Sequence, residues 1–352
     1  MIRVLIVEDS PVEQQLLAHI LGSDPLIKVV GVAVDGEMAL ADVARLKPDV
    51  VTMDIYMPKR DGFDTTRRIM ESTPLPIIII TGNYNSNDSD KLFRAMEAGA
   101  LAVVRKPVGL GHPDHQADAA ELIKTVKTMS EIKVIRRWPR LRSEAPVPSA
   151  SAGEAGVARK EIRVVAIGAS TGGPAVLRKI FLALPKDLSV PVLVVQHMAV
   201  GFMEHFVTWL SEMTGFPSHV AVHGEAIVPG HAYFAPDGFH MLVGKDCRIV
   251  LSNETAENGL RPAVARLFRS VAETFGATAV GVLLTGMGRD GAEELKQLRN
   301  SGAATLAQDR DSSIIFGMPG EAVRIDAADY ILAPEGITRI ITQLCATKTT
   351  KE

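Results

Sequence analysis

The sequence predicts an α/β protein of two doubly wound parallel-sheet domains, on three observations. Short apolar runs alternate with helical patterns along both halves, as in sheets covered on both faces. At 352 residues the chain is long for a single domain. Between the halves, residues 143–156 are rich in Ser, Ala, Pro and Glu and read as a flexible tether. These place domains at 1–130 and 161–347, with a linker at 131–160.

A hydrophobic content of 47% with 22% charged residues lets such a chain bury ordinary globular cores. The net charge of −3 gives no reason to expect nucleic acid or a membrane surface as partner. The apolar start, Ile2 to Val7, turns acidic at Glu8 and Asp9, too soon for a signal peptide. No apolar run reaches membrane-spanning length, so no membrane insertion and a cytoplasmic location are expected. Cys247 and Cys345 have neither metal-binding nor redox spacing.

In the first domain, strands are expected at 3–7, 28–33, 50–53, 77–81 and 102–105, with helices at 11–21, 37–46 and 91–98 between them. Doubly wound folds place their sites at the carboxyl ends of the strands. Those ends carry Glu8 and Asp9, then Asp54, then Thr81, then Lys106. Converging carboxylates are costly unless a cation sits among them, and oxygen ligands of this kind suit Mg²⁺. Each residue alone reads as a solvated loop charge; four strand ends in agreement do not.

After Lys106, a glycine- and proline-rich stretch at 109–115 precedes a helix at 119–129. Its two loop histidines, His112 and His115, lack the company of a metal site and read as surface residues. The basic segment 134–142 around Trp138 reads as a linker face.

The second domain repeats the alternation, with strands at 164–167, 192–196, 232–235, 279–285 and 305–307, and helices at 175–184, 202–213, 262–275, 291–301 and 336–344. Past its first strand comes Gly168-Ala169-Ser170-Thr171-Gly172, which fits the G-x-S-x-G turn that lifts a serine hydroxyl between strand and helix. A glycine-rich turn binding a phosphate is the competing reading. Past the second strand comes His197, and past the long one Gly286-Met287-Gly288-Arg289-Asp290. If these strands are parallel neighbours, Ser170, His197 and Asp290 meet as nucleophile, general base and orienting carboxylate for acyl transfer. Asp290 also reads as a helix N-cap, and His197 as a strand-end histidine bonded to backbone. The order Ser–His–Asp disfavours a simple α/β-hydrolase. His240 is a candidate for the same cleft, and Met198, Met241, Met287 and Met318 line it or fill the core.

Residues 1–125 resemble the receiver domain of two-component response regulators, through Val7-Glu8-Asp9-Ser10, Met53-Asp54-Ile55-Tyr56-Met57-Pro58, Asp61-Gly62, Ile80-Thr81-Gly82 and Arg105-Lys106-Pro107. The resemblance implies that Asp54 accepts a phosphoryl group from a histidine kinase, that Glu8, Asp9 and Asp54 hold Mg²⁺, and that Thr81 and Lys106 contact the phosphate.

Residues 161–347 resemble the catalytic domain of the chemotaxis protein-glutamate methylesterases, the CheB family. The likeness rests on Ile167-Gly168-Ala169-Ser170-Thr171-Gly172-Gly173-Pro174, Val195-Gln196-His197-Met198, Thr285-Gly286-Met287-Gly288-Arg289-Asp290-Gly291, Ala307-Gln308-Asp309 and Phe316-Gly317-Met318-Pro319. It implies a flavodoxin-like receiver followed by a Rossmann-like α/β hydrolytic domain with a Ser170–His197–Asp290 triad. It further implies hydrolysis of glutamate methyl esters on methyl-accepting chemoreceptors and, in many members, deamidation of receptor glutamines, with no cofactor for the ester reaction. On this match the backbone N–H groups of Thr171 and Met287 are the oxyanion-hole candidates. The alternative function is a non-catalytic regulator that binds a receptor or kinase; a DNA-binding regulator lacks a basic recognition helix.

Three departures stand out. Leu260, Ala263 and Ala265 replace the family's usual histidine, serine and aspartate, which points to altered substrate docking. Gly320 stands where a basic residue is usual, and Tyr56 where an acidic one is common.

Overall fold

The computed structural model describes residues 1–82, 94–96, 98–132, 134 and 161–346. The expected helix at 91–98, the basic segment 134–142 and the tether 143–156 lie largely or wholly outside the described residues.

The N-terminal sheet contains β1 (Ile2–Val7), β2 (Ile27–Ala33), β3 (Val50–Asp54), β4 (Ile77–Thr81) and β5 (Ala102–Arg105). All pairings are parallel, in the order β2-β1-β3-β4-β5. β3 and β4 are buried along their whole length because both of their faces are covered, and β4 is apolar up to its last residue. The helices are α1 (Pro11–Gly22), α2 (Gly36–Leu46), α3 (Gly62–Ser72) and α4 (His115–Ser130). Sequence cues explain their starts: Pro11 opens α1, while Asp35 and Asp61 cap α2 and α3 through Met38 and Asp64 N–H. Helix α4 begins four residues before its expected start at 119. His115 therefore sits on a helix rather than in a loop, its Nδ1 2.7 Å from Val108 O.

The second sheet has seven strands. They are β6 (Val164–Ala169), β7 (Val192–Gln196), β8 (Ser218–Val220), β9 (Ala232–Phe234), β12 (Ala279–Leu283), β13 (Ala304–Gln308) and β14 (Tyr330–Leu332). Their order is β14-β13-β12-β6-β7-β9-β8, all parallel. Helices α5 (Gly173–Ala183), α6 (Met203–Thr214), α7 (Val264–Phe275), α8 (Ala292–Asn300), α9 (Met318–Arg324) and α10 (Pro334–Cys345) cover it. The antiparallel hairpin β10 (His240–Val243) and β11 (Ile249–Ser252) packs on α7, where Val243 N donates to Ser270 Oγ at 3.1 Å. This hairpin, the edge strands β8 and β14, and the short helix α9 were not expected. Each is seven residues or fewer, too short to carry a period of its own.

The order puts β6 between β12 and β7 at the centre of the sheet, so the loops after these three strands emerge side by side.

Candidate active site and acidic pocket

Ser170 follows the last residue of β6. Its N–H donates to Thr285 O at 3.0 Å, and its C=O accepts from Gly173 N at 2.8 Å, closing the turn into α5. Gly172 takes φ 79°, which a side chain would resist, and Gly286 lies so close that a Cβ on it would stand 2.7 Å from Ser170 Cβ. Gly286, from the loop after β12, thus lets its backbone pass close beside the serine, while Gly172 leaves room for the Ile314 side chain.

His197 follows β7, anchored by its N–H to Ala169 O at 2.9 Å. Its Nε2 lies 3.0 Å from Asp290 Oδ2, although the angle is too bent for an aligned hydrogen bond. The pair is largely buried, with side chains 12% and 3% exposed, so the contact is little screened by water. Among the described residues the Ser170 hydroxyl makes no hydrogen bond. Catalytic contacts of this kind tighten when substrate is bound.

Asp290 is held from an unexpected side. Its Oδ2 accepts Val264 N–H at 2.7 Å and its Oδ1 accepts Ala265 N–H at 3.1 Å, the first two amides of α7. It caps that helix, not the one that follows it, and the helix dipole favours its negative charge. The N-cap position of α7 is Ala263, which has no side chain able to cap. Ala263 and Ala265 are buried, 0% and 2% exposed, beneath the triad. Two of the three replacements in this segment therefore lie inside the fold, where any effect on docking would be indirect.

The other candidates separate. The N–H groups of Thr171 and Met287 donate to no acceptor among the described residues. Met287 is 40% exposed at the rim, Met198 is half-buried, and Met241 and Met318 are core. His240 does not line the cleft. It is fully buried, with Nδ1 accepting Ala263 N–H at 3.2 Å and Nε2 3.2 Å from Thr255 O. Through these contacts His240 braces the start of α7. Gly320 leaves room for the Phe316 ring, a Cβ there standing 2.9 Å from it, and the Arg310 guanidinium lies over that ring, 4.6 Å from its centroid.

Sequence reasoning passed over Gln196 and Thr285. Gln196 is 1% exposed and donates through Nε2 to Ser170 O at 2.9 Å and His197 O at 2.7 Å. Thr285 Oγ1 donates to Thr171 O at 3.0 Å, and its N–H is taken by the buried Gln308 Oε1 at 2.8 Å. A polar residue ending an otherwise apolar strand was the available signal.

In the N-terminal domain, Glu8, Asp9 and Asp54 bring carboxylate oxygens within 4.8 Å of one another. Lys106 Nζ bridges Glu8 Oε2 at 2.8 Å and Asp54 Oδ2 at 2.9 Å. Burial pushes the Glu8 carboxyl up to about 7; Lys106 opposes the shift and the Asp54 charge adds to it. The burial of Lys106 lowers its affinity for a proton, but the two carboxylates outweigh it and raise its pKa overall. Hard oxygen donors around an incompletely neutralised pocket fit Mg²⁺. Thr81 is 2% exposed at the neighbouring strand end.

Comparison with known proteins agrees with both halves. Residues 165–341 match the family model "CheB methylesterase", and residues 4–113 match "Response regulator receiver domain". A protein-glutamate methylesterase/protein-glutamine glutaminase of Syntrophus aciditrophicus is 54% identical over 98% of each chain. One of Geobacter metallireducens is 52% identical over 99% of this chain and 100% of its own. The crystal structure of the Thermotoga maritima CheB methylesterase catalytic domain aligns with a TM-score of 0.51 at 32% identity, covering 53% of this chain and 100% of that one. With a serine, a histidine and an aspartate gathered on three adjacent strands, and relatives matched from end to end, this chain belongs to the CheB methylesterase family and carries a response regulator receiver domain.

Proposed function

We propose that this protein is a phosphorylation-gated protein-glutamate methylesterase acting on methyl-accepting chemoreceptors in the cytoplasm, with glutamine deamidation as a second reaction of the same site. Its working parts are a receiver over 1–130, a linker over 131–160 and a hydrolase over 161–347. The observation that carries the reading is the convergence of Ser170, His197 and Asp290 past β6, β7 and β12, with His197 Nε2 held 3.0 Å from Asp290.

With Nε2 turned to Asp290, Nδ1 of His197 is the nitrogen left to take the serine proton. Ser170 Oγ attacks the ester carbonyl, and the N–H groups of Thr171 and Met287 receive the developing oxyanion. The imidazolium then protonates the departing methoxide, which leaves as methanol. Water, deprotonated by the same imidazole, hydrolyses the acyl-serine to free glutamate. For a glutamine the leaving group is ammonia.

In the receiver, an Asp54 oxygen attacks the phosphohistidine of a kinase. Glu8, Asp9 and Asp54 would hold Mg²⁺, which offsets charge on the transferred group. Lys106 already faces Asp54, and with Thr81 it would contact the phosphoryl oxygens. Ile314 supports the gate: it belongs to the loop beside Ser170, where a Cβ on Gly172 would stand 2.8 Å from it, and it also packs on the receiver's core cluster. Ile314 thus gives a shift of the receiver one route to the turn that carries Ser170.

The test is methanol release from methyl-esterified receptor membranes, for the wild type and Ser170→Ala, each with and without a beryllium–fluoride adduct at Asp54. Release that needs Ser170 and rises with the adduct is expected. No release from folded wild type would favour a binding-only regulator.

A further inference from the structure

Gln196 is the last residue of β7, one position before His197. Both of its amide hydrogens go to backbone carbonyls of triad residues, Ser170 O at 2.9 Å and His197 O at 2.7 Å. Nothing in its surroundings makes this an economical way to fill space. Its Oε1 is buried and has no hydrogen-bond partner among the described residues. It also presses on the start of α5 so closely that a Cβ at Gly173 would overlap it. An apolar side chain of the same length would occupy the volume without stranding an acceptor. Local rules broken in this way concentrate at functional sites.

The geometry gives the arrangement a purpose. A peptide unit is planar and trans, so the Ser170 C=O and the Thr171 N–H of the same unit point in opposite directions. Gln196 Nε2 and Gly173 N hold that carbonyl on the buried side. The Thr171 N–H is thereby turned outward, and among the described residues it has no acceptor. The next peptide is also within reach of a donor: the one Thr285 hydroxyl proton faces Thr171 O at 3.0 Å and Ile315 O at 3.2 Å.

We propose that Gln196 is a positioning residue of the hydrolase: it locks the Ser170–Thr171 peptide so that the Thr171 N–H faces the oxyanion, and ties the backbone of His197 to the same point. The inference rests on the hydrolase reading above. Gln196 touches no reacting atom; it acts through the peptide it holds.

The test uses the full chain with Gln196→Met and Gln196→Glu, each read for thermal stability, kcat and KM of methanol release, and rate of Ser170 labelling by a fluorophosphonate. Methionine keeps the volume and donates nothing. Removing an oxyanion donor outright costs about 10²–10³ in kcat; a donor left in place but unaligned should cost about 10–100-fold, with KM within about twofold of wild type. Labelling should slow in parallel, because the phosphonate oxygen needs the same donor. Glutamate supplies a pH readout. As a carboxylate it repels both carbonyls, and when protonated it donates to one, so its activity relative to wild type should rise at least about tenfold from pH 8 to pH 6. A purely structural role would move stability and leave kcat per folded molecule, the labelling rate and the pH ratio unchanged, and that result overturns the proposal. Should Gln196→Met not fold, the pH ratio of Gln196→Glu decides. If wild type is labelled at Ser170 yet releases no methanol, the methylesterase reading fails, while the labelling ratios still judge Gln196.

Discussion

The carboxylate of Asp290 and the amide of Val264 form a 2.7 Å hydrogen bond across 26 residues of sequence, so the acid of the proposed triad is also the cap of α7. The same Oδ2 faces His197. Replacing Asp290 by Asn should therefore do two things. The imidazole loses its orienting charge, which costs about 10⁴ in kcat in enzymes of this chemistry. Helix α7 loses one acceptor and the charge at its N-terminus, which costs about 1–2 kcal/mol. Kinetics and chemical denaturation of Asp290→Asn check the pair; a large activity loss at unchanged stability would show that α7 does not depend on the cap.

Gly286 and Gly288 are two residues apart and should answer differently to alanine. A Cβ at Gly286 meets Ser170 Cβ at 2.7 Å and runs into Met318 Sδ. Gly286→Ala should displace the nucleophile and abolish most activity, with about 1–3 kcal/mol of overpacking. Gly288 has φ 81° and open space around its Cβ position, so Gly288→Ala should cost only about 1–2 kcal/mol of backbone strain. Parallel assays of turnover and melting temperature distinguish them.

Ile314 touches the nucleophile turn and the receiver core. Ile314→Ala removes part of that contact, and a change of about 1–2 kcal/mol in a two-state equilibrium is a factor of about 5–30. Methanol release without phosphodonor should rise accordingly, and the beryllium–fluoride adduct should then add less. Unchanged basal release would take Ile314 out of the gate.

Acid should loosen the loop before α7. Glu257 pairs with Arg269 at 2.7 Å and Arg266 at 2.9 Å. The Arg269 hydrogen bond is the main cause that holds its carboxyl below the ordinary 4.5, against the opposing effect of burial. A depressed folded pKa gives stability that is present above the unfolded value and lost as pH falls through the folded one. The pairs are partly exposed, so the contribution is at most about 1 kcal/mol. Glu257→Gln should lower the melting temperature by about 2 °C at pH 7, and the gap should close toward pH 3. An equal gap at both values would contradict this sign.

Burial pushes the Cys345 thiol up to about 12, whereas Cys247 is half-buried beside Arg163. Since the thiolate is the reactive form, native protein at pH 8 should yield one fast thiol equivalent with an aromatic disulfide reagent and the second only on unfolding. Two fast equivalents would contradict the buried placement of Cys345.

The placement of the candidate residues was legible where they follow strand ends. The apolar runs gave β6, β7 and β12, and the residues after them gave Ser170, His197 and Asp290, because a parallel sheet brings successive strand ends to one edge. What could not be read was contact between distant segments. Asp290 looked like the cap of its own following helix, and only the fold shows that it serves α7. Ala263 and Ala265 were read only as departures bearing on substrate docking, and their burial beside Asp290 was not visible. His240 looked like a cleft residue because it follows a turn, but the hairpin that buries it leaves no period in the sequence. Gln196 was visible only as a polar letter at the end of an apolar strand.

Val264 has a consequence for how this sequence can vary. Its amide holds Asp290, and its side chain fills the space that a Cβ on Gly168, two residues before the nucleophile, or on Gly291, directly after Asp290, would need. Three positions far apart in the chain thus share one small volume. A side chain at Gly168 or Gly291 is blocked while Val264 stands, so growth at either glycine should travel through descent with a smaller residue at 264, and a library varying 264 together with a glycine should recover active combinations that the glycine substitution alone does not.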